Sequence, residues 1–157
     1  MSKKNPLPKQ LNPWQQSTPY GYTLAGLSHS VENATQRAHL LHGTGFSALT
    51  LAEMARNLPQ SWSLCITDLP GHGQSQQPFH RMPDWQEMAS AVYHAVEIQM
   101  NVSQLGPIVA IGHSLGGVLT LMAAAQHPEL FKRVILLDPP LFNRPVMTMQ
   151  KLLRKTK

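Results

Sequence analysis

The segment from Pro107 to Gly117 reads PIVAIGHSLGG and passes from an apolar run directly into a cluster of glycines. The run at 107–111 predicts a buried strand, and the residues after Ser114 predict a helix that ends at Gln126, before Pro128. Glycines on both sides of Ser114 allow a sharp turn and leave room around a serine held in a strained conformation. We therefore predict a strand, a tight turn with Ser114 at its tip, and a helix.

The same alternation of strand and helix extends over most of the chain. Apolar runs predict strands at 38–41, 62–67 and 133–137, and helical spacing predicts helices at 49–58 and from a cap at Asp84 through Met100. Fully apolar strands that alternate with helices are typical of a parallel sheet covered on both faces. We therefore predict an α/β fold with a mostly parallel sheet and helices on both faces. A weak alternation over residues 22–31 predicts a small antiparallel hairpin before the parallel strands.

Polar residues stand where the predicted strands end: His42, Asp68, Ser114 and Asp138. The carboxyl ends of parallel strands meet at one edge of a sheet, where such folds place their working groups. At a helix N-terminus, Ser114 would have positive potential and free amides beside it, and these stabilise a developing oxyanion. The glycine-rich turn at 42–45 could aim the Thr44 N–H at the same oxygen as the Leu115 N–H, or could serve only to start the next helix.

The segment from Asp68 to Gly73 admits two interpretations. Asp68 and His72 could be catalytic or bind a metal, or the segment could be a structural loop in which Asp68 and Pro70 favour a turn. No second histidine stands at a metal-ligand spacing from His72, so we prefer the structural loop and predict no metal site. Cys65, the single cysteine, lies in an apolar run, where a small buried thiol is the expected outcome.

Four segments of the chain together resemble the α/β-hydrolase superfamily, in particular its serine esterases and lipases. They are His42-Gly43-Thr44-Gly45-Phe46-Ser47, Asp68-Leu69-Pro70-Gly71-His72-Gly73-Gln74-Ser75, Gly112-His113-Ser114-Leu115-Gly116-Gly117 and the strand that ends in Asp138-Pro139. The resemblance implies that Ser114 is a nucleophile, that the N–H groups of Thr44 and Leu115 form an oxyanion hole, and that no cofactor is needed. The implied substrate is a small molecule with an ester or a related acyl or carbon–carbon bond. Dehalogenase and epoxide-hydrolase relatives carry aspartate at the elbow, so a serine there argues against both activities.

The resemblance covers about residues 22–140, the amino-terminal half of the family's domain. Family members continue through a cap and two further strands that bring the acid and the catalytic histidine. Of the eight histidines only His127 follows Ser114, and a helix with a rise of about 1.5 Å per residue would carry it about 18 Å away. His42 and His72 match positions that the family uses for loop structure.

Asp138 is a possible acid, as in the minority of relatives with an acid at that strand end, but it has no histidine to orient. We therefore expect a truncated serine hydrolase that is weakly active or inactive, because the activating histidine is absent from the chain. The alternative is a non-catalytic binding or interaction module of the same fold.

The predicted domain organisation has three parts. Residues 1–19 hold four prolines and predict a flexible leader, and residues 20–140 form the hydrolase core. Residues 141–157 predict an amphipathic helix, with Val146 and Leu153 on its apolar face. That helix is the start of a cap, a basic solvated C-terminal helix, or a helix that binds anionic membranes.

Charge and composition argue against several kinds of partner. The 157-residue chain carries 13 Lys and Arg against 8 Asp and Glu, but seven of the basic residues lie in the two tails, which leaves six against eight in residues 10–150. The body is therefore mildly acidic and is not expected to bind nucleic acid. No run approaches ~18 apolar residues, so no transmembrane span is predicted. The N-terminal lysines precede no apolar segment, which predicts a cytoplasmic protein.

The last predicted strand, residues 133–137, would have no neighbour on its outer side if the family's strand order holds. An apolar edge with unpaired amides favours pairing with another chain. We therefore expect self-association through this sheet edge.

Overall fold

The computed structural model describes residues 9–78 and 81–140 of the chain. Strands and helices follow one another there in the order β1 (Asn12–Ser17), β2 (Thr23–His29), β3 (Gln36–Leu41), α1 (Ala48–Asn57), β4 (Trp62–Thr67), α2 (Trp85–Met100), α3 (Val102–Leu105), β5 (Ile108–His113), α4 (Leu115–Gln126) and β6 (Phe131–Leu137). A 3₁₀ helix, Pro128–Leu130, joins α4 to β6. The predicted strands β3 to β6 and the predicted helices α1, α2 and α4 are all present.

The strands of the described residues form one sheet in the order β1-β2-β4-β3-β5-β6. Strand β3 lies between β4 and β5 and is parallel to both, and β6 is parallel to β5. Strand β2 is antiparallel to β4, and β1 and β2 form an antiparallel hairpin. The prediction of a mostly parallel α/β sheet is confirmed.

Helices cover both faces of the sheet, which is why the central strands are apolar on both sides. On one face, Leu51 of α1 belongs to a buried cluster with Leu40 of β3. On the other face, Val92 of α2 and Leu119 of α4 belong to a second buried cluster. Both predicted helix layers are therefore confirmed.

Helix α2 begins where the sequence predicts. The Asp84 carboxylate accepts a hydrogen bond from the Glu87 N–H at 2.8 Å, in the arrangement of an N-cap. The helix ends at Asn101, which adopts a left-handed conformation. The Asp84 cap fixes the start of α2, the long helix that packs against β4.

The prediction of a flexible leader over residues 1–19 was wrong for residues 12–17, which form strand β1. Trp14 is buried in the core of the sheet, and the buried Lys9 donates from Nζ to the carbonyl of Leu58. Because β1 is an edge strand, Pro13 can lie in it without removing a hydrogen bond from the sheet interior. The hairpin predicted over residues 22–31 is instead formed by β1 and β2.

Strands β1 and β6 are the two edges of the sheet within the described residues. In the same part of the chain, no helix is long and apolar enough to cross a membrane. The amphipathic helix predicted within residues 141–157 lies outside the described residues.

Candidate active site

Ser114 lies at the tip of the turn that joins β5 to α4. Its backbone has φ +51° and ψ −123°, a strained conformation for a residue with a side chain. Its N–H donates to the carbonyl of Leu137 on β6 at 2.9 Å, and its carbonyl accepts from the Gly117 N–H at 2.9 Å. These hydrogen bonds fix the turn from both sides, and the tight turn predicted from the sequence is present.

Two glycines allow three backbone segments to meet behind Ser114. A Cβ atom at Gly116 would lie 2.4 Å from the carbonyl oxygens of both Leu41 and His42, and one at Gly112 would lie 2.6 Å from the Gly116 oxygen. The end of β3, the end of β5 and the start of α4 therefore touch through backbone atoms. No side chain fits between them.

The turn that follows β3 lies directly against Ser114. A Cβ atom at Gly43 would lie 2.8 Å from Ser114 Cβ and 3.3 Å from Ser114 Oγ. The next residue, Thr44, is exposed, and Leu115 is the first residue of α4. Within residues 9–78 and 81–140, the N–H groups of Thr44 and Leu115 donate to no other residue. The structure thus brings the two predicted site segments, the turn after β3 and the turn at Ser114, into contact, and their two amides have no partner among the described residues.

Asp138 follows the last residue of β6 and has a φ of +48°. Because His113 of β5 is paired with Leu137 of β6, Asp138 stands level with Ser114 on the neighbouring strand. Its side chain is exposed. Asp138 and Ser114 therefore both lie at the carboxyl ends of the parallel strands, as predicted. No hydrogen bond joins Asp138 to another described residue.

Three of the described histidines, His42, His72 and His127, have partners other than the Ser114 hydroxyl. Both ring nitrogens of the buried His42 lie in hydrogen bonds to the backbone, and His72 Nδ1 lies 3.0 Å from the Pro70 carbonyl oxygen. His127, at the far end of α4, stacks on Tyr93 with ring centres 4.4 Å apart. In the described part of the chain, no histidine is hydrogen-bonded to the Ser114 hydroxyl.

Asp68 is part of a structural loop, the interpretation that the sequence favours. Its buried carboxylate accepts from the Ala48 N–H at 2.5 Å and from the Gln74 N–H at 3.0 Å. A Cβ atom at Gly73 would collide with this carboxylate at 2.3 Å. No group of three or more potential metal ligands occurs among the residues described. Asp68 thus joins the start of α1 to the loop after β4.

Burial determines the protonation state of two side chains within the sheet, His39 of β3 and Cys65 of β4. The buried His39 has its pKa lowered to about 3, and the buried Cys65 has its pKa raised to about 12, in each case first by desolvation of the charged form. His39 is therefore a neutral core residue that lies 2.9 Å from Thr67 Oγ1. Cys65 is a protonated, buried thiol, and its burial was predicted from the sequence.

Phe46 stands in the glycine-rich motif at 42–47, and the sequence predicts no role for it. Its side chain is exposed although aromatic, and its ring centre lies 5.8 Å from that of His113, the residue before Ser114. Leu49, in the first turn of α1, is also exposed. An exposed aromatic ring thus lies beside the residue that precedes Ser114, and the signal for it was an aromatic residue in a polar, glycine-rich turn.

The comparisons with known proteins agree with this geometry. The sequence pattern of the alpha/beta hydrolase fold family matches residues 40–156, and the chain belongs to that family. It is 30% identical over 107 residues to the pimeloyl-(acyl-carrier protein) methyl ester esterase of Neisseria meningitidis serogroup A, covering 68% of this chain and 31% of that protein. It is 35% identical over 97 residues to the uncharacterized hydrolase YugF of Bacillus subtilis, covering 62% of this chain and 34% of that protein. The chain therefore spans about one third of the length of these curated relatives.

Solved structures show the same fold. A bacterial membrane phospholipase A superposes with a TM-score of 0.72 at 25% identity, covering 82% of this chain and 40% of that one. Cfl2 from Burkholderia cenocepacia superposes with a TM-score of 0.74 at 20% identity, covering 98% of this chain and 54% of that one. The relatives named as enzymes are hydrolases, which supports a hydrolase-like enzyme.

Proposed function

We propose that this chain supplies the nucleophile and the oxyanion hole of a serine hydrolase that acts on a carboxylic ester. Ser114 Oγ attacks the acyl carbon, its proton passes to a base, and the Thr44 and Leu115 N–H groups stabilise the negative oxygen of the tetrahedral intermediate. The alcohol then leaves with a proton, and water hydrolyses the acyl-enzyme to release the acid. The observation that carries the proposal is a strained Ser114 with two unpartnered backbone amides beside it.

An ester is the substrate class that fits best. One relative at 30% identity is named for a methyl ester and one structural neighbour at 25% identity is named a phospholipase, and both names denote cleavage of carboxylic esters. The exposed side chains of Phe46 and Leu49 offer an apolar surface for the acyl group next to the oxyanion turn. A small acyl ester is therefore the substrate proposed.

The base is proposed to be a histidine other than the seven that the structure describes, on a following segment or on a partner chain. Asp138 is proposed as an acid that could orient it, because it stands level with Ser114 on the adjacent strand. Within the described residues the Ser114 hydroxyl has no hydrogen-bond partner, and this favours a second candidate function, a non-catalytic binding module of the same fold. A reactivity measurement at Ser114 separates the two.

A fluorophosphonate probe should label the folded wild-type chain at Ser114. The Ser114→Ala variant should show no labelling at any of its serines. Attack by Oγ expels fluoride, and the phosphonyl oxygen of the adduct occupies the place of the oxyanion. Labelling should be slow, since no base is hydrogen-bonded to the hydroxyl in the described residues. The measurement is peptide mass spectrometry after a time course, with urea-unfolded chain as the control for intrinsic serine reactivity.

Two results would refute the enzyme proposal. Equal labelling of wild type and Ser114→Ala would show that another group reacts, and labelling of the folded chain no faster than the unfolded one would favour the binding module. Ser114-specific labelling that is lost on unfolding supports the nucleophile. Hydrolysis of short acyl esters by wild type, but not by Ser114→Ala, would extend this support to turnover.

Self-association through the outer edge of β6 is proposed as well, because β6 is an edge strand of the described sheet with a partly exposed Ile135. Ile135→Lys should weaken the association about tenfold, since an edge lysine opposes strand pairing. Light scattering over a concentration series measures it. Gln15→Lys, at an exposed position of the opposite edge strand β1, is the matched control. A monomeric wild type, or an equal effect of the two variants, would count against association through β6.

The cytoplasmic location stays a prediction.

A further inference from the structure

His42 lies directly after β3 and is fully buried, so its ring hydrogen bonds can be assigned to a single tautomer. The Leu69 N–H donates to His42 Nε2 at 3.0 Å. An atom that accepts this hydrogen bond carries a lone pair and not a proton. The ring proton is therefore on Nδ1, and Nδ1–H donates to the Gly43 carbonyl oxygen at 2.8 Å.

The Gly43 carbonyl belongs to the same peptide group as the Thr44 N–H. In a trans peptide the C=O and N–H bonds point in opposite directions from one plane, and the described residues contain no cis peptide. The same carbonyl also accepts from the Phe46 N–H at 3.2 Å. Two donors thus hold the oxygen end of this peptide, and they set the direction of its N–H end beside Ser114.

We propose that His42 is a positioning residue for the oxyanion hole: by donating from Nδ1 to the Gly43 carbonyl, it orients the Gly43–Thr44 peptide so that the Thr44 N–H faces the reacting oxygen. This inference rests on the proposed function of Ser114 as nucleophile. His42 itself touches no reacting atom. It acts through the peptide plane that follows it.

The surroundings of His42 keep this tautomer in place. Asp68 Oδ1 lies 3.6 Å from His42 Nε2, but the Asp68 carboxylate accepts hydrogen bonds from backbone amides. The ring centres of His42 and His72 are 5.6 Å apart. Protonation of Nε2 would break the hydrogen bond from Leu69. Burial, together with the nearby His72 and His113, lowers the pKa of His42, whereas Gly43 and Asp68 act in the opposite direction. The neutral imidazole is therefore the working form.

Two substitutions of His42 test the roles of its two ring nitrogens separately. The amide nitrogen of His42→Asn can take the place of Nδ1 and donate to Gly43, but the side chain is too short to reach Leu69. The amide oxygen of His42→Gln can take the place of Nε2 and accept from Leu69, but it leaves the Gly43 carbonyl without this donor. His72→Asn is the control for loss of a neighbouring imidazole.

The rate constant for Ser114 phosphonylation by the fluorophosphonate should distinguish these variants. We expect the rate constants of His42→Asn and His72→Asn to stay within about threefold of the wild-type value. The rate constant of His42→Gln should fall at least about tenfold, which is part of the loss expected when one oxyanion donor is removed. Urea unfolding of each variant shows that it is folded. Equal rate losses in folded His42→Asn and His42→Gln would overturn the positioning role and leave His42 a structural residue.

A second readout does not depend on reaction at Ser114. In ¹⁵N NMR spectra, the His42 ring should show a protonated Nδ1, and the Thr44 amide signal should shift in His42→Gln more than in His42→Asn. If Ser114 is not labelled in wild type but these signals behave as expected, the proposed function fails and the peptide orientation stands. If Nε2 carries the proton, or if the Thr44 signal shifts alike in both variants, the inference fails whatever Ser114 does.

Discussion

Replacing Thr44 with proline should lower the rate constant for Ser114 phosphonylation by about 10²–10³, the usual loss on removing one oxyanion-hole donor. Proline has no backbone N–H, so the substitution deletes the group that the proposal assigns to Thr44. The side chain of Thr44 is exposed and has no assigned role. Mass spectrometry of the labelled peptide over time gives the rate constant directly.

Thr44→Ala is the matched control, because it keeps the N–H and removes only the side-chain hydroxyl and methyl groups. It should retain most of the wild-type rate. Circular dichroism and urea unfolding establish that Thr44→Pro is folded. A folded Thr44→Pro variant that reacts at nearly the wild-type rate would show that the oxyanion donor lies elsewhere.

Gly116→Ala should reduce the free energy of unfolding by about 3 kcal/mol, the upper part of the range for overpacked sites. The new Cβ would lie 2.4 Å from the carbonyl oxygens of Leu41 and His42, which are backbone atoms and cannot turn away. Helix α4 would have to move from β3 and carry the Leu115 amide away from the Thr44 amide. The rate of Ser114 labelling should therefore fall as well.

The sign of the change in unfolding free energy for Gly116→Ala separates two effects, because alanine is a better helix former than glycine. On helix propensity alone, Gly116→Ala would stabilise the chain by up to about 1 kcal/mol. Ala125→Gly, at an exposed position of the same helix, calibrates that propensity and should cost about 1 kcal/mol. Urea denaturation of the three proteins measures all the differences. A stabilised Gly116→Ala would contradict the close approach of α4 to β3.

Much of the fold was predictable because its signals are local. Each parallel strand contains a short, mostly apolar stretch that ends at a polar or glycine residue. The start of α2 is predicted by Asp84, whose side chain caps the helix. Strand β1 was missed because only Trp14 of its six residues is buried, so the strand shows no apolar run. Its pairing with β2, and not its own composition, makes it a strand.

The site was predictable to the extent that it depends on backbone turns. The glycines around Ser114 predicted the strained turn, and the turn after β3 predicted an amide at Thr44. The hydrogen bond between His42 and Leu69 joins residues far apart in the sequence, and no local pattern encodes it. Asp138 has no hydrogen-bond partner among the described residues, so its role as an acid stays a prediction.

The amide of Ser114 donates to the carbonyl of Leu137, so the turn that carries Ser114 is held by a hydrogen bond to an edge strand of the described sheet. Fraying of β6 would release that amide to solvent, and its hydrogen-exchange rate therefore reports local opening of the edge. A chain segment that binds the outer side of β6 only when β6 is docked stabilises the docked state by mass action. Binding at the outer side of β6 and preorganisation of the Ser114 turn are thus thermodynamically coupled, although the two places share no side chain.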